Sequence, residues 1–589
     1  MKVVLAAINA KYIHSNLAVY SLRKYAERYA DYITLCEYTI NNYTDDILMD
    51  LYKQKPDFLA VSCYIWNIDM VKEVLREIKK VLPNLTIWVG GPEVSYEVER
   101  FLKKNPYVDG VMIGEGEQTF LEVMEHYVDG TKSLSEICGI AYRKEEQICF
   151  TTPRMPMDLS DIPFPYDDLD VFANKIIYYE SSRGCPFSCS YCLSSIEKGV
   201  RLRNMELVKK ELQLFLDKKI PQVKFIDRTF NCNHKHAMEI WNYIHEHDNG
   251  ITNFHFEISA DLLTEEELEL LNRMRVGLVQ LEIGVQSTNE KTIHAIHRTM
   301  NLDKLSYAVK RVQQGKNIHQ HLDLIAGLPF EDYESFRNSF NDVYAMAPNQ
   351  LQLGFLKVLK GSEMYVEQEE HHILYKGQAP YEVMATKWLP YDDVLRLKQV
   401  EDMVEVYYNS DQFTHSLAFL MHYYETPFDF YQMLGAYYEE QGLQGFHHSR
   451  ITRYDILLSF VEKTKPQIVE PLKELLVYDL YLRENLKSRP FFAKDQKKWK
   501  EKYHAFYGTM EQMNKEGILE QDGMKNVLPD YKGYQARQMA RMTHLECFSY
   551  DFTALEGTGE VKPKEQHILF DYQKRNPLNQ EAATVILNI

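Results

Sequence analysis

The chain has 589 residues, of which 45% are hydrophobic and 26% charged, and this is the composition of a soluble globular protein with about three to four domains. Its 67 Lys+Arg and 85 Asp+Glu give a net charge of −18, which disfavours a nucleic-acid partner. No stretch is apolar enough to cross a bilayer and the first residues lack a secretory pattern, so we expect a cytoplasmic protein without a membrane partner.

Residues 1–128 alternate short apolar runs with amphipathic stretches, which predicts a doubly wound parallel sheet with helices on both faces. The predicted strands are Val3 to Ile8, Tyr32 to Glu37, Phe58 to Ser62, Thr86 to Val89 and Val108 to Ile113. In such a sheet the ligand crevice lies outside the carboxyl ends of the strands.

Residues 129–174 break this alternation. A hairpin is predicted from Ile140 to Thr151, and four prolines follow it, so we interpret this segment as an interdomain linker. The alternation resumes over residues 175–360 with six strand-helix units, which predicts a partial (βα)6 barrel with its chemistry on the loops after the strands. Residues 361–589 are predicted to form a mainly helical domain with one late strand, His567 to Tyr572.

The segment SSRGCPFSCSYCLSS, residues 181–195, holds three cysteines, Cys185, Cys189 and Cys192, within eight positions. Three thiolates this close can ligate three irons of a [4Fe-4S] cubane and leave the fourth iron without a protein ligand. Zinc is the alternative, but it normally takes a fourth ligand at short spacing, and the next candidates, Cys232 and His234, lie roughly 40 residues downstream.

The segment resembles the signature of the radical S-adenosylmethionine (SAM) superfamily, Cys-x3-Cys-x-aromatic-Cys, with Tyr191 as the aromatic residue. The resemblance covers about residues 175–360 and implies reductive cleavage of SAM with electrons from a reductant such as flavodoxin or ferredoxin. It also implies SAM contacts from strand ends, which are Asp227 for the amino group, Glu257 for the methionyl or ribose portion, Gln286, Arg298 for the carboxylate, Asp323 for the ribose and Ile325 for the adenine. Strand-end capping or simple charge pairing is the alternative for Glu257, Gln286 and Asp323.

Two glycine loops, GGPEVS (90–95) and GEGEQT (114–119), follow the fourth and fifth predicted strands. With SCYIWN (62–67) they resemble the cobalamin-binding domain that precedes many radical SAM domains. The resemblance implies a cobalamin pocket formed by Ser62, Gly91, Glu93, Gly114, Glu115 and Gly116. The Asp-x-His-x-x-Gly motif of other cobalamin proteins is absent from the sequence, so His14 is either an axial ligand or, as we expect, a helix-start or surface histidine.

These features together predict a cobalamin-binding radical SAM enzyme, most simply a methyltransferase acting on an unactivated centre of an unknown substrate. The alternatives are a cobalamin-dependent rearrangement or cyclisation, a methylthiotransferase, a cobalamin or iron-sulfur sensor without turnover, and a domain that has lost cobalamin. Cys232 follows the second barrel strand, where a packing role is expected over a catalytic one.

Overall fold

A computed structural model describes residues 1–196, 198–516, 531, 533–552, 555, 559 and 561–587. The chain forms two compact units. The first unit comprises Met1–Ser339 with Leu353–Val394, and the second comprises Phe340–Gln352 with Leu395–Ile589. The first unit contains both the N-terminal sheet and most of the barrel, and therefore all the residues that the sequence assigns to a site.

The N-terminal sheet confirms the predicted doubly wound fold. Its strand order is β2-β1-β3-β4-β5-β6-β7, and β1 to β5 pair in parallel. Helices cover both faces because the strands are apolar on both sides; all seven residues of β1 are buried. The elements are β1 Val3–Asn9, α1 Leu17–Tyr25, β2 Ile33–Thr39, α2 Thr44–Gln54, β3 Phe58–Ser62, α3 Ile68–Val81, β4 Thr86–Gly90, α4 Val98–Lys104, β5 Gly110–Met112 and α5 Glu117–Met124.

The hairpin that the sequence places in a linker instead extends this sheet. Its strands are β6, Ile140–Lys144, and β7, Gln147–Phe150. Strand β6 pairs antiparallel with β5, which brings Tyr142 opposite Gly110. The first three residues of β6 are buried and apolar, so pairing with the otherwise open edge of β5 removes them from water.

The predicted partial barrel is also confirmed, as a six-stranded sheet of order β15-β14-β13-β12-β11-β8. A separate two-stranded ribbon, β9 with β10, closes the base of the cysteine loop. The elements are β8 Ile177–Tyr179, β9 Ser182–Arg183, β10 Arg201–Leu202, α6 Met205–Asp217, β11 Gln222–Phe225, α7 His234–Glu246, β12 Asn253–Ile258, α8 Glu265–Arg273, β13 Val279–Gln286, α9 Glu290–Ala295, α10 Leu302–Gln314, β14 His319–Ala326, α11 Tyr333–Tyr344 and β15 Gln350–Phe355.

The remainder of the chain is helix-rich, as predicted, and ends in an antiparallel sheet of order β18-β19-β20 that contains the predicted His567–Tyr572 strand and two more strands. No described helix is long and apolar enough to span a membrane. The elements are α12 Glu363–Val366, β16 Leu374–Tyr375, β17 Val383–Ala385, α13 Tyr391–Met403, α14 Thr414–Leu420, α15 Pro427–Glu440, α16 Arg450–Thr464, α17 Val469–Arg483, α18 Lys500–Glu516, α19 Ala536–Met542, β18 Thr543–Asp551, β19 Lys562–Arg575 and β20 Ala582–Leu587.

Candidate active site

The cysteine loop leaves the barrel after β8 and returns through the β9–β10 ribbon. Gly184 begins it with a φ of +98°, and a Cβ at this position would lie 2.1 Å from the carbonyl oxygen of Gly199. Only glycine therefore allows the two ends of the loop to approach this closely. Cys185 and Cys189 are 8% and 7% exposed, Cys192 is half-buried, and all three thiols are free.

The spacing of the three sulfur atoms argues against a single zinc ion. Two other groups of potential ligands, Glu282–His321–Asp323 and Cys547–Glu565–His567, have donor atoms mutually within 4.8 Å, whereas the three cysteine sulfurs do not. Thiolates on one tetrahedral zinc would lie about 3.8 Å apart, since each Zn–S bond is about 2.3 Å. The wider spacing suits ligands bound to three different irons of a cluster.

Arg298 contacts the cysteine loop directly. Its Nη1 lies 3.9 Å from Cys189 Sγ and 3.3 Å from the Tyr191 hydroxyl, and its Nη2 donates to the carbonyl of Gly284 at the end of β13. Its Nε is buried without a partner in the described part of the chain. The contacts place the guanidinium against the loop, where it steadies Cys189 and Tyr191.

Asp227, which the sequence assigns to the SAM amino group, is not among the residues that line the two cavities. It is fully buried, and its carboxylate accepts three hydrogen bonds, from the Ser181 backbone N–H and from the hydroxyls of Ser181 and Ser182. Burial raises its pKa to about 7. These contacts tie the second barrel strand to the start of the cysteine loop, so Asp227 acts as a positioning residue.

Glu257 lines the same cavity as Cys192 and belongs to a charged network inside the barrel. Lys224 Nζ lies 3.8 Å from Glu257 Oε1 and 2.7 Å from Glu282 Oε2. Burial, followed by repulsion from Glu282, raises the pKa of Glu257. The neighbouring strand adds Asp323, whose Oδ1 lies 3.1 Å from His321 Nε2.

Gln286 and Ile325 lie at the ends of β13 and β14, where the sequence places them, but neither lines the two main cavities of the site. Gln286 sits at a bulge with a φ of 74°, and its Oε1 is buried without a partner among the described residues. A buried unpaired acceptor carries a desolvation penalty, which a bound donor would remove.

Two adjoining cavities, of about 760 and 420 Å³, lie between the sheet edge and the barrel mouth. The larger one reaches Tyr191 and Cys192 of the cysteine loop, and across from them Tyr64 and Trp66, whose rings stack at 4.4 Å. Tyr64 and Arg228 line both cavities. One continuous space therefore joins the cysteine loop to the carboxyl edge of the N-terminal sheet.

The smaller cavity gathers five of the six predicted cobalamin-pocket residues, namely Ser62, Gly91, Gly114, Glu115 and Gly116. The Ser62 Oγ is buried without a partner among the described residues. Gly114 has a φ of +79°, and a Cβ there would meet no atom within 4 Å. An orphaned hydroxyl and an open glycine wall are features of a binding pocket, because a packed core would have filled both.

The two predicted pocket carboxylates already have protein partners. Glu115 accepts hydrogen bonds from Arg201 and from the Met157 backbone N–H. Glu93 lines the larger cavity and accepts from Lys360 Nζ at 2.8 Å and from the Tyr381 hydroxyl. Both carboxylates therefore fix neighbouring segments around the cavities instead of offering unpaired charge.

Arg183, two residues before Cys185, was not predicted as a site residue. Its guanidinium lies 2.6 Å from Glu180, 2.9 Å from Glu117 and 3.3 Å from Glu115. It thus joins the cysteine loop to the helix start after β5. The sequence shows Arg183 beside Cys185 and three residues after Glu180, but its partner Glu117 is 66 residues away along the chain.

Arg228 and His14 complete the cavity wall. Arg228 lines both cavities, and among the described residues its hydrogen bond is made by the backbone carbonyl, which accepts from the Thr229 hydroxyl. Its guanidinium is therefore a candidate to bind an anionic group. His14 Nδ1 lies 2.6 Å from the Tyr178 hydroxyl, and burial lowers the pKa of this imidazole. His14 lies two residues before Asn16, the cap of α1, where its backbone bridges to Ile176, and it lines the larger cavity.

Comparisons with known proteins match three segments of the chain. Residues 3–124 match the model of the B12 binding domain, residues 179–343 that of the Radical SAM superfamily, and residues 369–570 that of a protein of unknown function, DUF4080. The first two matches confirm the predicted resemblance of these segments.

Curated relatives align over about half of the chain. The cobalamin-dependent radical SAM methyltransferase TokK of Streptomyces tokunonensis is 28% identical over 310 residues, which are 49% of this chain and 45% of TokK. An anaerobic magnesium-protoporphyrin IX monomethyl ester cyclase of Rubrivivax gelatinosus is 23% identical over 335 residues, covering 53% of this chain and 58% of the cyclase. The chain thus spans about half the length of these relatives.

Solved structures share the fold. The apo form of the cobalamin-dependent SAM radical enzyme OxsB aligns with a TM-score of 0.56 and 16% identity over 91% of this chain and 84% of OxsB. The methyltransferase TsrM of Kitasatospora setae aligns with a TM-score of 0.54 and 16% identity over 64% of this chain and 76% of TsrM.

Proposed function

We propose that this chain, which contains a B12-binding domain and a radical SAM domain, is a cobalamin-dependent radical SAM methyltransferase that acts on an unactivated centre of its substrate. The observation that carries the proposal is the continuous space that reaches Cys192 at one end and the glycine loops of the N-terminal sheet at the other. Such a space allows two cofactors to serve one substrate from opposite sides.

Cys185, Cys189 and Cys192 would hold a [4Fe-4S] cluster, and Ser62, Gly91, Gly114 and Gly116 would border cobalamin. When bound, the cluster supplies the electron that cleaves SAM to a 5'-deoxyadenosyl radical, and cobalamin supplies the methyl group. The sulfur spacing fits the cluster, while the unpaired Ser62 Oγ and the open face of Gly114 fit a large ligand at the sheet edge.

The chain's own residues would hold the cysteine loop in place and bind SAM and the substrate. Arg298 holds Cys189 and Tyr191, and Asp227 holds the segment before Cys185. Glu257 and Arg228 line the cavity, so they are our candidates for the amino and carboxylate groups of SAM or for polar groups of the substrate. Gln286 keeps a buried oxygen without a hydrogen bond among the described residues, and Asp323 has His321 as its neighbour. We retain both, with Ile325, as candidates for the SAM ribose and adenine contacts.

The test uses the full chain, reconstituted anaerobically with iron, sulfide and hydroxocobalamin, then given a chemical reductant and SAM deuterated in its methyl group. Methyl transfer predicts both 5'-deoxyadenosine and S-adenosylhomocysteine, with deuterium passing to an acceptor in a small-molecule extract. A non-catalytic sensor would form neither product above the level of a Cys185→Ala variant.

Ring formation or rearrangement is the second candidate, because cyclases are among the relatives of this chain. It predicts 5'-deoxyadenosine without an equal amount of S-adenosylhomocysteine and without deuterium transfer. For electron supply we propose a flavodoxin or ferredoxin of the cytoplasm, which would replace the chemical reductant in the same assay.

A further inference from the structure

Three metal-ligating side chains meet on one face of the C-terminal sheet. Cys547 on β18 lies directly opposite His567 on β19 in the strand register. Glu565 lies two residues before His567, so its side chain is on the same face. One donor atom from each of the three lies within 4.8 Å of the other two.

Neighbouring side chains hold these residues in place. The Gln496 carboxamide bonds both backbone groups of Cys547, donating to its carbonyl at 2.9 Å and accepting from its N–H at 3.3 Å. The Tyr503 hydroxyl lies 3.2 Å from His567 Nδ1 and 3.4 Å from Gln496 Oε1. Trp499 packs against the His567 ring at 4.5 Å and 86°. This is the supporting arrangement that surrounds metal ligands in proteins.

The buried state of His567 points to a ligand. The residue is 5% exposed, and within the described residues Tyr503 is the only hydrogen-bond partner of its ring. Cys547 is a free, half-buried thiol. An imidazole nitrogen and a thiol that lie side by side in this way can both bind one metal ion.

We propose that Cys547, Glu565 and His567 bind a zinc ion. A thiolate and an imidazole favour zinc over magnesium or calcium, and the thiolate and carboxylate together balance its double charge. Three protein ligands leave one position for water, and Glu565, which is exposed, places that position toward solvent. Lys498 Nζ lies 3.5 Å from Glu565 Oε2, a surface ion pair that offers little competition to a divalent cation.

The other converging group, Glu282, His321 and Asp323, does not support the same proposal. The Lys224 ammonium contacts Glu282 Oε2 at 2.7 Å and already supplies the positive charge there. In the Cys547–Glu565–His567 group, the ion pair seen among the described residues joins Glu565 to the exposed Lys498.

The test measures zinc in protein that lacks the iron site, so that the outcome is independent of the proposed radical chemistry. The Cys185→Ala, Cys189→Ala and Cys192→Ala triple variant is purified, dialysed against zinc and analysed by mass spectrometry for metal. We expect one zinc per chain, and less than about one tenth of that after Cys547→Ser is added in the same background. Cys149→Ser, which also changes a half-buried free cysteine, should keep the metal.

Cobalt(II) binding gives a second measurement, which reports on the metal ligands directly and uses more than one variant, so that a folding defect in one of them does not decide the result. Cobalt bound to the triple variant should show a thiolate charge-transfer band, lost in Cys547→Ser and shifted in Glu565→Gln. A triple variant without zinc, or equal zinc with and without Cys547→Ser, would overturn the proposal.

Discussion

The N-terminal domain and the barrel are both parallel sheets with their predicted ligand residues at the carboxyl edge, yet they use those residues differently. In the N-terminal domain five of six predicted residues border one cavity. In the barrel only Glu257 of the six predicted SAM contacts borders the cavities. Glycine loops form a pocket because they leave space, whereas charged residues form hydrogen bonds and ion pairs with residues from distant parts of the chain.

The two regions differ because their residues have different needs for hydrogen-bond partners. A Cβ at Gly114 would meet no atom within 4 Å, and the Ser62 Oγ has no hydrogen-bond partner among the described residues. Their position at the sheet edge therefore decides their role. Asp227 and Arg298 need buried partners and find them in Ser181 and in the cysteine loop. Space-forming and positioning residues should therefore respond differently to substitution.

The cysteines should be indispensable. Cys185→Ala removes one of three cluster ligands, so we expect iron content to fall to background and 5'-deoxyadenosine formation to cease. Iron and acid-labile sulfide assays with product quantification by mass spectrometry measure this. Cys149→Ser is the control and should behave as wild type; an iron-loaded Cys185→Ala variant would disprove the ligand assignment.

Arg298→Gln tests a positioning residue. Loss of the contacts to Cys189 and Tyr191 should slow SAM cleavage by about 10–100-fold, the usual effect of removing a group that orients metal ligands, while iron content stays near wild type. The ratio of cleavage rate to bound iron is the quantity to compare. Arg311→Gln, a change on a half-buried side chain whose guanidinium donates to Gln314 in a solvent-exposed contact, provides the control. An unchanged ratio contradicts the role given to Arg298.

Gly114→Val tests a space-forming residue. The new side chain would enter the smaller cavity, so steric exclusion should weaken corrinoid binding at least about tenfold. The left-handed backbone costs about 1–2 kcal/mol of stability in addition. Gly130→Val is the matched control, because Gly130 also has a positive φ and open space around it but lines neither cavity. Corrinoid absorbance after reconstitution measures the difference. Equal loss in both variants would mean that backbone strain alone is responsible.

Asp227→Asn should affect cofactor binding least of these substitutions, and its effect should appear in the pH dependence of stability. Burial raises the Asp227 pKa from 3.8 to about 7, so the folded chain binds this proton more tightly than the unfolded chain. Its contribution is therefore most favourable below pH 3.8 and is lost as pH rises to about 7, by at most about 1.4 kcal/mol per pH unit. The asparagine variant should show a flatter decline of the thermal midpoint between pH 5 and 7, and parallel curves would contradict this account.

Local pattern was sufficient to predict most of the fold. The strand Phe58–Ser62 agrees with prediction at both ends, because an apolar run between a proline turn and a polar loop defines it locally. The hairpin from Ile140 to Phe150 was also predicted, but not its pairing with β5. Strand pairing depends on an edge about 30 residues away, as Met112 opposite Ile140 shows.

The site was predictable where chemistry depends on spacing and less so where it depends on distant partners. The three cysteines and the glycine loops follow from local motifs. Arg183 and Arg228 did not appear as candidates, because the three carboxylates around the first and the empty space around the second exist only in the folded chain.

The measurement closest to the central claim is electron paramagnetic resonance of the dithionite-reduced chain, loaded with iron, sulfide and cobalamin, before and after addition of SAM. We expect one reduced cluster and one corrinoid per chain, with the cluster signal shifted by SAM because one iron has no protein ligand. A signal indifferent to SAM, or a chain that retains no corrinoid, would contradict the account.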